Sequence, residues 1–172
     1  INRDTRTLQV RNLESGAEYE QHYDALILSP GAAPIVPPIP GADKGLVLRD
    51  IEDLDQMVKQ LATATNVVVV GGGFIGLEAA ENLRETGASV TLVELSSQLL
   101  APLDPEMARP LEHELINNGV TLELGHAVTR IDDGWAQLDD GRRVPADLVV
   151  FAIGVRPDST LATAAGLEVG PS

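Results

Sequence analysis

The chain has 172 residues, so it can bury about 70% of the surface that its unfolded form exposes, and one substantial core needs no disulfide or metal to support it. It contains no cysteine, which excludes disulfides, thiolate metal sites and a redox-active thiol of its own. The formal net charge of −14 disfavours nucleic acid and anionic membranes as partners, and no apolar run approaches the roughly 18 residues of a membrane-spanning helix, so we expect a cytoplasmic protein.

The N-terminal part of the chain is rich in strand patterns. Alternation over Thr7–Arg11 and again over residues 17–21 predicts a β-hairpin. The apolar run at residues 25–28 predicts a buried strand, which Ser-Pro-Gly at 29–31 ends. The proline-rich segment APIVPPIPG at residues 33–41 follows, and it predicts a stiff extended linker between two modules. A proline-rich ligand for a partner's groove is the less favoured alternative, because such ligands usually lie in disordered segments.

From residue 45 onward, strand and helix patterns alternate. The first predicted elements are a short strand at 47–48, a helix over Ile51–Leu61, a buried strand at 67–70, a helix over Phe74–Glu85 and a strand at 89–93. Pro105 and Pro110 limit where the next helix can start, which predicts it at residues 111–118.

From about residue 120, apolar and polar residues alternate with a period of two. Asp-Gly pairs separate short alternating segments and predict an antiparallel meander, with strands at 120–124, 127–131, 135–138 and 142–144. The apolar run at 148–153 predicts a strand that is buried on both faces. The predicted fold class is therefore α/β: a Rossmann-like three-layer domain with a central parallel sheet and an antiparallel β-meander crossover.

The glycine motif between the first buried strand and its helix indicates a dinucleotide site. Gly71, Gly73 and Gly76 follow the strand at the G-x-G-x-x-G spacing. In such a turn the first glycine makes the tight bend, the second lets the backbone approach a pyrophosphate, and the third lets helix and strand pack closely. The pyrophosphate then lies on the helix N-terminus. The alternative is a glycine-rich turn that binds nothing.

Glu94 stands at the end of the second strand of this unit, where a carboxylate can accept hydrogen bonds from an adenosine ribose. A carboxylate there repels a 2′-phosphate, and residues 95–97 offer no arginine to accommodate one. The motif therefore predicts NAD(H) in preference to NADP(H). The alternative is an acid that is merely solvated at a strand end.

Gly154, Glu78 and the three histidines are less specific indicators of a site than the glycine motif. Gly154 follows a buried strand, and either lets the backbone approach a nicotinamide or makes a simple turn. Glu78, near the start of the helix, is either an acid stabilised by the helix dipole or a nicotinamide contact. His22, His113 and His126 have no metal-ligand spacing and are predicted to be surface or interface residues, so we expect no metal site.

Four segments of the chain together resemble the two-dinucleotide flavoprotein disulfide reductases. The similarity is closest to coenzyme A-disulfide reductases, NADH-dependent persulfide reductases and NADH oxidases or peroxidases. The segments that carry it are YDALILSPGAAPIVPPIPG at 23–41, VVVVGGGFIGLEAAENL at 67–83, VTLVELSSQLLAPLDPEM at 90–107 and ADLVVFAIGVRPDSTLA at 146–162.

The resemblance implies an organisation into pieces of two domains. Residues 1–44 would be a partial FAD-binding domain segment with its proline-rich connector, 45–158 the NAD(H)-binding domain, and 159–172 the start of the return to the FAD domain. It also implies cofactor-binding residues: Ser29, Pro30 and Gly31 beside the flavin; Gly71, Gly73, Phe74, Ile75 and Gly76 around the pyrophosphate and nicotinamide; Glu94 at the adenine ribose; Glu78 near the nicotinamide and flavin ring; Ile153 and Gly154 in the nicotinamide pocket.

Enzymes of this kind also need an N-terminal flavin-binding glycine motif, a redox cysteine, an aspartate that holds the flavin ribityl chain, and a C-terminal dimerisation domain. None of these occurs in the chain. The resemblance therefore implies a module with no catalytic residue of its own, inactive alone, whose partners are NADH, FAD and the rest of a homodimeric parent flavoprotein. The rival hypothesis is a stand-alone NAD(H)-binding or sensor domain without catalysis.

Overall fold

The computed structural model describes residues 1–170 and has mixed α/β structure, as predicted. Its strands, numbered in chain order, are β1 (Thr7–Arg11), β2 (Glu18–His22), β3 (Ala32–Pro34), β4 (Leu46–Val47), β5 (Asn66–Val70), β6 (Ser89–Glu94), β7 (Thr121–Leu124), β8 (Val128–Asp132), β9 (Gly134–Leu138), β10 (Arg143–Ala146), β11 (Leu148–Phe151) and β12 (Val155–Pro157). The α-helices are α1 (Ile51–Leu61), α2 (Phe74–Glu85), α3 (Pro105–Asn117) and α4 (Thr160–Ala164).

The chain divides into two compact units. One contains Ile1–Ala33 together with the residues from Arg156 onward, and the other contains Pro34–Val155. One boundary falls within β3 and the other within β12. The domain boundaries implied by the family resemblance, at 44/45 and 158/159, stay a prediction.

In the smaller unit, β1 and β2 form the predicted antiparallel hairpin, with Thr7 opposite His22. The prediction of a buried strand at residues 25–28 is wrong: these residues are not in a strand, and Ile27 is 88% exposed. A strand needs a neighbour that bonds its backbone N–H and C=O groups. Among residues 1–170, no strand pairs with this segment, so its apolar composition alone does not make it one.

The larger unit is built on a five-stranded sheet in the order β4-β11-β5-β6-β7, in which every pairing is parallel. The side chains of β5 alternate between its two faces. Val67 and Val69 belong to a core with α1, α2 and α3, the helix-side core. Val68 and Val70 belong to a second core with the meander β8-β9-β10, the meander-side core. Helices, parallel sheet and meander are therefore three layers, which confirms the predicted fold class. The predicted strand at 120–124 does not belong to the meander: it is β7, which pairs parallel with β6 at the edge of the central sheet, because α3 carries the chain back to the start of that edge. A sheet that is covered on both faces explains the unbroken valine run.

Helix α1 has the predicted bounds but buries little of its predicted apolar face. Asp50 caps it, because an Asp50 Oδ1 atom accepts a hydrogen bond of 3.0 Å from the Asp53 backbone N–H. Met57 is buried, whereas Ile51 and Val58 are 74% and 58% exposed. The periodicity therefore predicted the helix correctly and overestimated how much of it the unit covers.

Helix α3 begins earlier than the predicted residue 111. Pro105 occupies its first turn, where a proline has no helical hydrogen bond to lose, and Pro110 lies inside the helix. Ala108, between the two prolines, is fully buried. The prediction that Pro110 precedes the helix was wrong. Pro110 costs the helix one backbone hydrogen bond, and the burial of Ala108 favours the helix in spite of this loss.

The proline-rich segment, predicted as a stiff linker between modules, packs against the meander. The Pro40 carbonyl accepts a hydrogen bond of 2.9 Å from the Ile131 N–H, and Ile39 packs against the meander-side core. A 3₁₀ turn follows at Ala42–Lys44, and Lys44 Nζ lies 2.6 Å from an Asp133 carboxylate oxygen. The segment is therefore part of the wall of the larger unit.

Asp147 joins the start of β11 to the start of β5. One of its carboxylate oxygens accepts hydrogen bonds from the backbone N–H groups of Asn66 and Thr65, at 2.8 and 3.1 Å, and from both of their side chains. The backbone bonds from Asn66 and Thr65, followed by the side-chain bonds, lower the pKa of Asp147 from 3.8 to about 2. The ionised carboxylate thus aligns the beginnings of two central strands.

Asp147→Asn should lower the urea midpoint at pH 7 and flatten the acid limb of the stability curve. Because the folded pKa lies below the unfolded one, the stabilisation is complete above roughly pH 4 and is lost as the pH falls through the folded pKa of about 2. Urea unfolding measured from pH 7 to pH 2 tests this, with the exposed Asp55→Asn as the control. Curves that stay parallel for wild type and Asp147→Asn over this range would contradict it.

None of the helices described in residues 1–170 is both long enough and apolar enough to cross a membrane.

Candidate functional site

A cleft of about 770 Å³ opens at the carboxyl ends of the central strands of the larger unit. Strand β5 lies between β6, which follows it in the chain, and β11, which arrives from the other side of the sheet. In open α/β sheets, ligands bind at this reversal of strand order. The cleft is lined by Pro37 and by residues 70–75, 93–96, 100–102, 126–128 and 152–154.

The three motif glycines have different surroundings. Gly71 has a φ of +112°, and a β-carbon on it would lie 2.5 Å from the Ala152 carbonyl oxygen. A β-carbon on Gly76 would lie 1.9 Å from the Gly71 carbonyl oxygen. On Gly73 it would meet no atom within 4 Å. Packing within the protein therefore requires the first and third glycines, whereas the second leaves open space above the backbone, as a close ligand needs.

The N-terminus of α2 adjoins this open space. Gly73 is its N-cap, no side chain among residues 1–170 caps it, and its first turn contains no acid. The first N–H groups of a helix have no partner within the helix and carry the positive end of its dipole. Phe74 and Ile75, in this first turn, line the cleft and are 72% and 47% exposed. These features fit a pyrophosphate group.

Glu94 lines the cleft with its carboxylate already bound to the backbone. One oxygen accepts from the Gly72 N–H at 2.6 Å, and the other accepts from the Ser96 N–H at 2.7 Å. Each oxygen keeps a free lone pair for a hydroxyl group. The strand-end position predicted a ligand contact, and nothing in the sequence pattern indicated these two backbone bonds.

The structure brings most of the predicted cofactor residues together. The residues that line the cleft are Gly71, Gly73, Phe74, Ile75, Glu94, Ile153 and Gly154. Gly76 lies under the glycine turn, and Glu78 is not part of the lining. Ser29, Pro30 and Gly31 belong to the smaller unit, where the Gly31 carbonyl accepts from the Asp158 N–H. The roles of all these residues toward a cofactor stay predictions.

His126 lines the cleft, whereas the sequence predicted only a surface or interface position for it. Its backbone N–H donates to the Glu94 carbonyl at 3.1 Å, and its Nδ1 lies 2.9 Å from an Asp139 carboxylate oxygen. Asp140 completes a group whose possible ligand atoms lie within 4.8 Å of one another. However, Arg142 Nε lies 2.5 Å from an Asp140 carboxylate oxygen, so this carboxylate is already paired with a guanidinium group. The spacing of histidines could not reveal this cluster, because the turn between β9 and β10 supplies its aspartates.

The whole chain, residues 1–172, matches the family model of the pyridine nucleotide-disulphide oxidoreductases, and the chain belongs to this family. It is 37% identical over 169 residues to the large subunit of nitrite reductase [NAD(P)H] from Klebsiella oxytoca. Its structure is similar to that of reduced CoADR-RHD from Bacillus anthracis, with a TM-score of 0.95 and 39% identity. It is also similar to the water-forming NADH oxidase from Lactobacillus brevis bound to NADH, with a TM-score of 0.91 and 28% identity.

These relatives are much longer than the chain. The alignment covers 94% of the chain and 18% of the nitrite reductase subunit. The two structural matches each cover 99% of the chain, and 32% and 39% of the respective relatives. Members of the family use FAD together with NAD(H).

Proposed function

We propose that the chain is the NAD(H)-binding module of an FAD-dependent oxidoreductase, and that it docks NADH for hydride transfer to the flavin. The observation that carries the proposal is the uncapped N-terminus of α2 beside the open space at Gly73. The likeness to CoADR-RHD, to an NAD-dependent persulfide reductase from A. fulgidus and to the NADH-bound oxidase supports a parent that reduces a coenzyme A disulfide, a persulfide or oxygen.

The residues of the cleft orient the nucleotide. The N–H groups at the start of α2, around Gly73 and Phe74, would bind the pyrophosphate, and Glu94 would accept hydrogen bonds from the adenosine ribose. Gly71 and Gly76 shape the turn beneath the pyrophosphate, while Ile75, Ile153 and Gly154 would form the wall against the nicotinamide. The bound nicotinamide supplies the hydride that the flavin accepts. The contribution of the chain is therefore proximity and orientation.

Other parts of the proposal concern the parent enzyme. Ser29, Pro30 and Gly31 would contact the flavin, and Glu78 would lie near the nicotinamide and flavin ring. The remainder of the parent would complete the flavin site, so we expect the chain alone to be inactive. A homodimeric parent and a cytoplasmic location stay predictions from the sequence.

Gly73→Ala tests the proposed function. The added β-carbon meets no protein atom, so the thermal midpoint should fall by no more than about 4 °C, since alanine at an N-cap costs about 1 kcal/mol. Because the same β-carbon occupies the space that pyrophosphate oxygens need, the affinity for NADH should fall about tenfold or more. Isothermal titration of both proteins with NADH measures this.

The same titration with NADPH adds a second comparison. Wild type should bind NADH more tightly, because Glu94 repels a 2′-phosphate and none of the residues that line the cleft is lysine or arginine. Equal affinity of wild type and Gly73→Ala for NADH would overturn the proposed site. Equal affinity of wild type for NADPH and NADH would overturn only the coenzyme preference.

A further inference from the structure

Both backbone polar groups of Gly72, which lies between the motif glycines Gly71 and Gly73, are hydrogen-bonded. Its N–H donates to the Glu94 carboxylate at 2.6 Å. Its carbonyl oxygen accepts from the Leu100 N–H at 2.9 Å. The family motif requires no particular residue here, but a β-carbon on Gly72 would lie 2.7 Å from a methyl carbon of Leu99. The Gly72 N–H lies in the peptide plane between Gly71 and Gly72, and the Gly72 carbonyl lies in the next plane, between Gly72 and Gly73. Glu94 and Leu100 therefore each hold one of the two peptide planes that flank the Gly72 α-carbon.

Leu100 makes its contact from an unusual backbone conformation. It has a φ of +47°, in the left-handed region that residues with a β-carbon rarely adopt, and it is only 5% exposed. The surrounding loop is braced, since the Leu99 N–H donates to a Glu112 carboxylate oxygen at 3.2 Å and the Leu103 N–H donates to the Leu100 carbonyl at 2.8 Å. The strain at Leu100 is therefore maintained by its surroundings.

The glycine turn needs such external contacts. Residues 71–73 are three consecutive glycines, and glycine populates more of the backbone dihedral space than any other residue. No side chain within the turn can select one conformation. The Gly73 N–H lies in the same peptide plane as the Gly72 carbonyl, so the bond from the Leu100 N–H fixes its direction. The Phe74 N–H lies in the next plane along the chain. Holding the planes on either side of Gly72 therefore limits how these donors face the cleft.

We propose that Glu94 and Leu100 are positioning residues that together clamp the two peptide planes on either side of Gly72, and that this clamp preorganises the helix N-terminus for a pyrophosphate-bearing nucleotide. The nucleotide consequence rests on the proposed function, whereas the clamp itself is a property of the free chain. Glu94 thus has a role besides its contact with the ribose, and Leu100 acts through its backbone.

Two substitutions at Leu100 separate this role from packing. Leu100→Gly keeps the N–H and accommodates positive φ without strain, although it deletes the whole buried side chain. Leu100→Val keeps most of the apolar volume, but a β-branched residue is a poor fit to positive φ. A clamp predicts that Val is the more damaging change at Gly72, whereas simple packing predicts that Gly is.

The free chain provides the first readout. In amide hydrogen exchange followed by NMR, the Leu100 N–H should exchange about tenfold faster in Leu100→Val than in wild type, since its bond to the Gly72 carbonyl is lost, and should stay protected in Leu100→Gly. The Gly72 N–H should show the same order. Equal protection in both variants, or the reverse order, would overturn the clamp.

Glu94→Gln provides a second arm. A glutamine side chain has one acceptor oxygen and a donor NH₂ group, so it can accept from only one of the two N–H groups that Glu94 binds. The N–H of either Gly72 or Ser96 should therefore exchange about tenfold faster. Glu81→Gln, an equal charge change at an exposed position on α2, is the control and should leave both unchanged. Unchanged protection in Glu94→Gln would overturn the role of Glu94.

Titration with NADH gives the functional readout. Leu100→Val should bind NADH about tenfold more weakly than wild type and more weakly than Leu100→Gly, although Leu100→Gly removes more of the cleft wall. If wild type binds no NADH but the exchange order is as expected, the clamp stands and the proposed function fails. If NADH binds equally to all three proteins, the preorganising role is overturned and the proposed function stands.

Discussion

Gly76→Ala should destabilise the chain by about 3 kcal/mol or more and lower its thermal midpoint by about 10 °C. The added β-carbon would lie 1.9 Å from the Gly71 carbonyl oxygen and 3.0 Å from its carbonyl carbon. Both are backbone atoms, so no side-chain rotation relieves the overlap. Helix α2 would have to move away from β5, and this movement would loosen the helix-side core, in which Ala79 and Ala80 pack against the sheet. Thermal and urea unfolding monitored by circular dichroism measure the loss.

Gly73→Ala is the matched control within the same motif. It adds the same methyl group three residues earlier, where the β-carbon meets no atom within 4 Å and φ is −82°. Its stability should stay within about 1 kcal/mol of wild type. Similar losses for both variants would show that glycine flexibility, rather than the contact beneath Gly76, determines the stability of the turn.

Gly41→Ala should have the second largest effect, with a loss of about 3 kcal/mol. Gly41 ends the proline-rich segment with a φ of +78°, and a β-carbon on it would lie 2.0 Å from the Ile131 carbonyl oxygen. The segment would have to detach from β8, and the bond between the Pro40 carbonyl and the Ile131 N–H would break. Urea unfolding measures the loss, and faster amide exchange at Ile131 would locate it.

Gly16→Ala separates backbone strain from the steric contact. Gly16 has a similar φ of +71°, but a β-carbon there meets nothing within 4 Å. It should therefore cost only the strain of alanine at positive φ, about 1 kcal/mol. A free, extended linker at residues 34–41 would make the two variants equivalent, and that result would contradict the packing of the proline-rich segment.

Local patterns predicted the framework of the nucleotide unit well. The bounds of α1 and α2 agree with the structure, and β6 ends at Glu94 as expected. These elements depend on contacts between residues close in the chain, such as the Asp50 cap, and on apolar periodicity. The errors fell where distant contacts decide. Residues 25–28 have the composition of a strand but no strand to pair with, and α3 continues through Pro110 because Ala108 is buried.

The glycine motif shows the same division at a finer scale. By itself the sequence determined which strand, turn and helix follow one another, and that three glycines and an acid lie at the spacing of a dinucleotide site, because local sterics and hydrogen bonding set these features. Only the tertiary structure decided that Glu94 and Leu100 converge on Gly72, and that His126 lines the cleft. Three consecutive glycines have no conformational preference of their own, so the shape of the turn has to come from partners that the fold brings to it.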